Sequence, residues 1–239
     1  MAKVMFGPIV SDARKKIGGV VFSKSKFGAY VRKKVSPVQP RTTSVRQVRA
    51  NFTANSKAWS GTLDNAARLS FVQLAATLTK KDRFGQSQTL TGAQLYQSIS
   101  RNLHTCGVAP LTVAPTDQAV SDIGGIVLAQ VVSETSPLTG PGITVDVTNV
   151  PQNDECLVIT AAAPQPAGRA FIGKGKFRII KVFDPWPGSP AISLPEDITA
   201  DYEAKFGQLV VGQTIHLAAN VINTTNGAAG KPYPGSITL

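Results

Sequence analysis

Gly18-Gly19-Val20-Val21-Phe22-Ser23-Lys24-Ser25-Lys26-Phe27-Gly28-Ala29-Tyr30-Val31-Arg32-Lys33-Lys34-Val35 is the stretch on which the organisation of this chain turns. Apolar and aromatic side chains interleave with cations, and glycines punctuate the run. Two segments of strand composition, near residues 20–23 and 29–35, can pair as a β-hairpin across Lys24 to Gly28. The loop lacks the Asn-Gly or Asp-Gly pair that marks the tightest hairpins. Pro37 and Pro40 then keep the chain extended, because each disfavours helix at the residue before it. Residues 1–42 therefore read as a basic arm with little core of its own. Such an arm needs something to hold it: its own domain, another subunit or a nucleic acid.

Outward from this stretch the charge is segregated. The first 58 residues hold 13 of the 25 Lys and Arg against one acid, Asp12, a net +12. Residues 59–110 are at +3 and residues 111–239 at −4. A length of 239 residues suits one large domain or two ordinary ones, and the asymmetry favours two parts with different roles. Cys106 and Cys156 fall in separate modules, so buried core cysteines are expected rather than a disulfide framework. The apolar run Val4 to Val10 is interrupted by Gly7 and Pro8 and soon followed by Arg14-Lys15-Lys16, which is not a secretory pattern. No stretch approaches the ~18 apolar residues of a membrane span. The expected location is a cytoplasm or a virion assembled there, with no membrane partner.

Residues 43–107 read as a short three-helix module. Ser44-Val45-Arg46-Gln47 fits a capping box, with Val45, Val48, Phe52 and Trp59 near one face of the helix that follows. Gly61 is expected to break it and Asp64 to cap the next helix, which carries Phe71, Leu74, Ala75 and Leu78 on one side. A charged loop, Lys80 to Gly85, leads to a second capping box at Thr91-Gly92-Ala93-Gln94. Leu95, Ile99 and Leu103 then recur at helical spacing, and Gly107 is the stop. Residues 108–120, with Pro110 and Pro115, read as a linker. Residues 121–239 are β in character. Strands are expected at 126–132, 143–150, 156–162, 177–183, 208–211, 214–222 and 236–239, and Thr144-Val145-Asp146-Val147-Thr148 alternates as a half-buried strand does. The predicted fold class is α+β: a basic arm with a hairpin, a helical module and an all-β sandwich of immunoglobulin or fibronectin type III kind.

Residues 1–115 also resemble a known family. Pro40-Arg41-Thr42, then Val48-Arg49-Ala50 and Phe52, is similar to a segment found in a family of phage- and bacterium-encoded proteins. There, as here, it follows a glycine-rich segment ending in an aromatic, basic strand (Gly28, Tyr30, Val31, Arg32). Trp59, Leu63, Arg68 and Phe71 stand where that family places Trp, Leu, Arg and an aromatic. Thr91-Gly92-Ala93-Gln94-Leu95-Tyr96 with Asn102-Leu103 matches its third helix. Val45 departs from the pattern, standing where the family often has Gln, so the cap is expected to rest on Ser44. The resemblance implies no settled activity. It does imply a phage-like, virion-associated setting.

No constellation for chemistry emerges. His104 and His216 lie in different modules and are expected to be surface or satisfied polar residues, without a Cys-x-x-Cys or His-Glu-x-x-His pattern around them. Gly173-Lys174-Gly175-Lys176 lacks the spacing of a phosphate-binding loop and reads as a hairpin turn. Asp154-Glu155 and Glu196-Asp197 are adjacent pairs, whose side chains point apart on a strand. No catalytic, metal or cofactor residue is expected, and the chain is not expected to be an enzyme.

The candidate contacts are Arg14, Lys15, Lys16, Lys24, Lys26, Arg32, Lys33, Lys34, Arg41, Arg46 and Arg49, with Phe27 and Tyr30 among them. The first expectation is a structural, assembly protein of a phage-like virion (shell, decoration or tail-associated). Its arm and helices would bind copies of itself or other shell proteins in a homo-oligomer, the glycines allowing close backbone approach. The second is nucleic-acid binding, with cations on phosphates and Phe22, Phe27 and Tyr30 on bases. A surface-binding decoration module using Trp186 is a third.

Overall fold

The computed structural model describes residues 2–25, 28–36, 38–81, 84–132, 141–149, 151, 154–169, 171–183 and 194–239. Lys26, Phe27, Pro37 and Trp186 with its flanking prolines lie outside them. The chain is α+β, and its strands pair antiparallel throughout.

The arm folds into one four-stranded sheet of β1 (Ala2–Lys3), β2 (Lys15–Ile17), β3 (Val20–Ser25) and β4 (Gly28–Lys33), in the order β1-β4-β3-β2. The expected hairpin is β3–β4, with Val20 opposite Lys33 and Ser25 opposite Gly28. The sheet exceeds the expectation because Gly18-Gly19 forms a second two-residue turn, Ile17 standing opposite Val20 and Gly18 taking φ +54°. β1 adds to the far side of β4.

Helix α1 (Thr43–Lys57) starts two residues earlier than predicted. Its cap is Thr42, whose Oγ1 accepts from Val45 N (3.4 Å), and not Ser44, which lies within the helix. Gly61 does not break the helix outright: Ala58–Thr62 widens into a π turn, closed by Leu63 N on the Ala58 carbonyl (2.9 Å). Asp64 caps α2 (Asn65–Thr77) by accepting from Ala67 N at 2.7 Å. Part of the predicted charged loop is in strand, since β5 (Thr79–Lys81) pairs with β6 (Ser87–Thr89). Thr91 and Gln94 form the full capping box of α3 (Gly92–Thr105), and Gly107 leaves it at φ +71°. Phe71, Ala75, Leu95, Ile99 and Leu103 are buried between α2 and α3. Trp59, Phe71 and Tyr96 stack there with ring centroids 5.2–6.1 Å apart, each such pair adding about 0.5–1.5 kcal/mol beyond its burial.

The C-terminal body has two sheets. One contains β7 (Ile126–Val132), β8 (Pro141–Val147) and β12 (Glu196–Asp197), in the order β12-β8-β7. The other contains β9 (Glu155–Ala161), β10 (Gln165–Pro166), β11 (Arg178–Phe183), β13 (Gln213–Asn223) and β14 (Tyr233–Thr238), with β13 central. Strand alternation sends Ile143, Val145 and Val147 from the first sheet, and Leu157, Ile159, Ile215, Leu217 and Val221 from the second, into one buried core. On one side Gly235 of β14 lies against Ile126 and Leu128 of β7. On the other, Lys181 of β11 pairs with Glu196 (2.9 Å) and Asp201 (3.3 Å). Partial burial alone would lower the Lys181 pKa, but the two carboxylates outweigh it and raise it above the usual lysine value.

Three predictions for this body are corrected. It is not all-β, because α4 (Thr199–Phe206) packs Tyr202 into the core, where the phenol donates to the Ala162 carbonyl (3.0 Å). Burial holds the Tyr202 hydroxyl far above its usual pKa. Residues 208–211 lie outside any strand. The glycine-lysine run 173–176 is a short 3-10 turn leading into β11 and not a hairpin turn, since the connection from β9 first sends β10 to β13.

The predicted linker is fastened along its length. Val108, Leu111 and Ala114 pack on the helical core, and Asn226 Nδ2 donates to Asp117 (3.2 Å) and to the Ala119 carbonyl (2.8 Å). Buried Glu155 accepts from Ser121 N at 2.7 Å. Cys106 and Cys156, expected in separate modules, share one small buried cluster with Val158 and Ile222. Asn102 Nδ2 of α3 donates to the Gly227 carbonyl (2.8 Å).

Candidate functional site: the basic arm

None of the described residues before Asn55 is buried. The arm sheet stands clear of the apolar clusters, and both of its faces meet solvent. Residues directly opposite on paired strands share a face. Register therefore sorts the side chains. On the first face lie Ala2, Ile17, Val20, Phe22, Ala29 and Val31, with Lys15, Lys24 and Lys33 around them. On the second lie Lys3, Lys16 and Arg32, with Val21, Ser23 and Tyr30. Lys15 takes φ +72°, the sole non-glycine residue with positive φ among those described, a backbone cost of about 1–2 kcal/mol.

The predicted contacts thus do not form one patch. Arg14 is engaged by Asp12 at 2.9 Å. Lys34 closes the sheet through its backbone N–H on the Gly19 carbonyl (2.8 Å). Arg41, Arg46 and Arg49 belong to a different element, at and within α1, where Arg49 Nη2 donates to Gln39 Oε1 (2.9 Å). The hydrogen bonds that tie helix α1 to α3 fall in its C-terminal half. There Asn55 Oδ1 accepts from His104 Nε2 (3.2 Å), and Gln97 Nε2 donates to Ser56 Oγ (2.9 Å). The apolar face predicted from Val45, Val48, Phe52 and Trp59 is therefore split. Trp59 packs inward, while Val48 and Phe52 are 66% and 62% exposed. Lys3 reaches from the arm to the Phe84 ring, 5.8 Å from its centroid.

Elsewhere several polar side chains are engaged in structure. His216 Nε2 donates to the Arg169 carbonyl (3.0 Å). Tyr233 donates to Asp122, which lowers the Asp122 pKa and raises that of the tyrosine. A cleft of about 460 Å³ between α3 and residues 227–229 has no titratable side chain in its wall. Among the described residues no group of three His, Cys, Asp or Glu is placed to hold a metal ion, and no helix is long and apolar enough to cross a membrane.

Sequence reasoning missed the second turn, although Gly-Gly between two β-branched segments is itself a hairpin signal. It also missed the division of the cations between two faces, which only the register fixes. Comparison of the chain with protein-family models, curated proteins and solved structures finds no match.

Proposed function

We propose that this chain is a non-enzymatic structural and assembly protein of a phage-like particle, with the arm sheet and the free half of α1 seated on neighbouring protein. One observation carries the reading. None of the described residues before Asn55 is fully buried, yet nine large apolar side chains there, from Met5 to Phe52, are exposed among the cations. Small sheets need a covered apolar face for stability, and apolar surface of this kind marks interaction sites. The phage-like setting, in a virion or the cytoplasm that assembles it, comes from the resemblance of residues 1–115. In this reading the two-sheet body is an immunoglobulin- or fibronectin-like sandwich that serves as the spacing or outer part.

A second reading has its own support. Lys3 stands opposite Tyr30 and Arg32 two residues beyond it, with Lys16 on the same face two strands away, an arrangement that suits phosphates and a stacked base. Size-exclusion chromatography with light scattering, recording the 260/280 nm absorbance ratio at low and high salt, separates the two. Assembly through protein contacts gives a large species free of nucleic acid that persists in high salt. A species rich in 260 nm absorbance that collapses to monomer in high salt replaces the first reading with the second.

A further inference from the structure

The body carries a sheet face that answers the arm. On the outside of β7, β8 and β12, register places Val127 beside Asp146, and Ala129 beside Thr144 and Asp197. Their strand neighbours Ile143, Val145 and Val147 point into the core. Val127 is 54% exposed, Ala129 and Asp197 are exposed, and Thr144 and Asp146 are half-buried. This outer face carries the small apolar residues Val127 and Ala129 on its edge strand β7, Thr144 and two carboxylates on β8 and β12, and no cation within the three strands. The first face of the arm sheet has the converse pattern: Ile17, Val20, Phe22 and Val31 at its centre, Lys24 and Lys33 at its margins, and no acid.

We propose that the apolar face of the arm sheet packs on the outer face of β7, β8 and β12 in a second copy of this chain. This rests on the assembly reading and names the partner surface. Two arm faces stacked on each other would bring lysines together with no acid between them, so charge disfavours the symmetric pairing and favours the arm-to-body one. Sheets pack face to face about 10 Å apart, and Lys24 and Lys33 stand at opposite ends of the β3–β4 hairpin, so either end can bring a lysine to Asp146 and Asp197. The contact uses a different surface on each partner, so it either closes by reciprocal arm exchange between two copies or continues from copy to copy as a ring or an open array. A face roughly 20 by 15 Å removes on the order of 600 Å² from water over both partners. That is below the ~1,200 Å² of a stable pairwise interface. A single contact is therefore weak, and association is concentration-dependent.

The test uses full-length protein freed of nucleic acid, mixing ¹⁵N-labelled and unlabelled copies. A carbodiimide joins neighbouring amines and carboxylates, and mass spectrometry separates links between copies from links within one. Links between copies from Lys24 or Lys33 to Asp146 or Asp197 are expected. Sedimentation velocity over a concentration series should show Val127→Arg and Phe22→Glu each weakening association by at least ~30-fold. Because Phe22→Glu can also melt the arm sheet, Lys24→Glu/Lys33→Glu, which leaves the apolar row intact, is the companion variant and should act alike. If the arm variants dissociate the protein while Val127→Arg does not, the arm docks elsewhere: this proposal falls and the assembly reading stands. If none of the variants matters, both fall. Wild-type protein that stays monomeric at every concentration, or associates only with added oligonucleotide, also overturns it.

Discussion

Gly227 sets how closely α3 approaches the β body. Its φ is +67°, and a Cβ there would sit 2.5 Å from Cγ2 of Ile99, while its carbonyl accepts from Asn102. Two costs follow for Gly227→Ala: a left-handed backbone, and a methyl forced into a packed seam. Together they should lower stability by about 2–4 kcal/mol, read as a fall in the urea midpoint at unchanged slope. The two parts are separable. In an Ile99→Leu background the 2.5 Å contact is gone, and the cost of the same substitution should fall toward the ~1–2 kcal/mol of backbone conformation. Equal losses in both backgrounds would show that the seam tolerates the methyl. Nothing in the sequence marked this residue. Gly227 follows Asn226 in what reads as a loop, and its neighbour Ile99 lies far away along the chain, so only the fold reveals the constraint.

At the scale of elements, the N-terminus of α1 puts the sequence reading and the structure in direct competition. Thr42, Thr43 and Ser44 are three hydroxyls in a row, so composition alone leaves the capping position ambiguous. The structure settles on Thr42, two residues after Pro40, where the backbone is still extended at ψ 152°. Thr42→Ala should therefore loosen the first turn by about 0.5–2 kcal/mol, and Ser44→Ala should leave it within a few tenths. Global unfolding is a poor probe here, since this half of the helix is not buried. Hydrogen exchange of the Val45 to Gln47 amides is the direct one, and faster exchange in Ser44→Ala alone would restore the predicted capping box. Caps at Asp64 and Thr91 were legible because each stands alone, three residues before the amide it serves. Helix α4 was not read, although Tyr202 and Phe206 stand four apart, with Asp201 in the first turn and Lys205 in the last. Eight residues between strands are too few for periodicity to stand out.

For the whole molecule, the sequence showed that the charge is segregated and that a helical module stands between a basic arm and a β body. It did not show which apolar faces are covered. Val48 and Phe52 fit a core-facing stripe as well as Leu95 and Ile99 do, yet only the latter pair is buried. Periodicity records that a face is apolar; the neighbour that covers it comes from the rest of the fold or from another chain. The difference is measurable. Local opening costs least where few apolar contacts are lost, and the segment before Asn55 loses almost none. Limited trypsin treatment of dilute, monomeric protein should cut first among Lys15, Lys16, Lys24, Arg32, Lys33 and Lys34. A fragment containing α2, α3 and both sheets of the body should persist, because its core residues are buried in continuous clusters. In the assembled protein the same sites should be cleaved at least ~10-fold more slowly, since cleavage follows the population of the open arm and a bound partner lowers that population. Equal cleavage in the two states would place the arm outside the assembled contacts and leave its apolar face without the role argued for it.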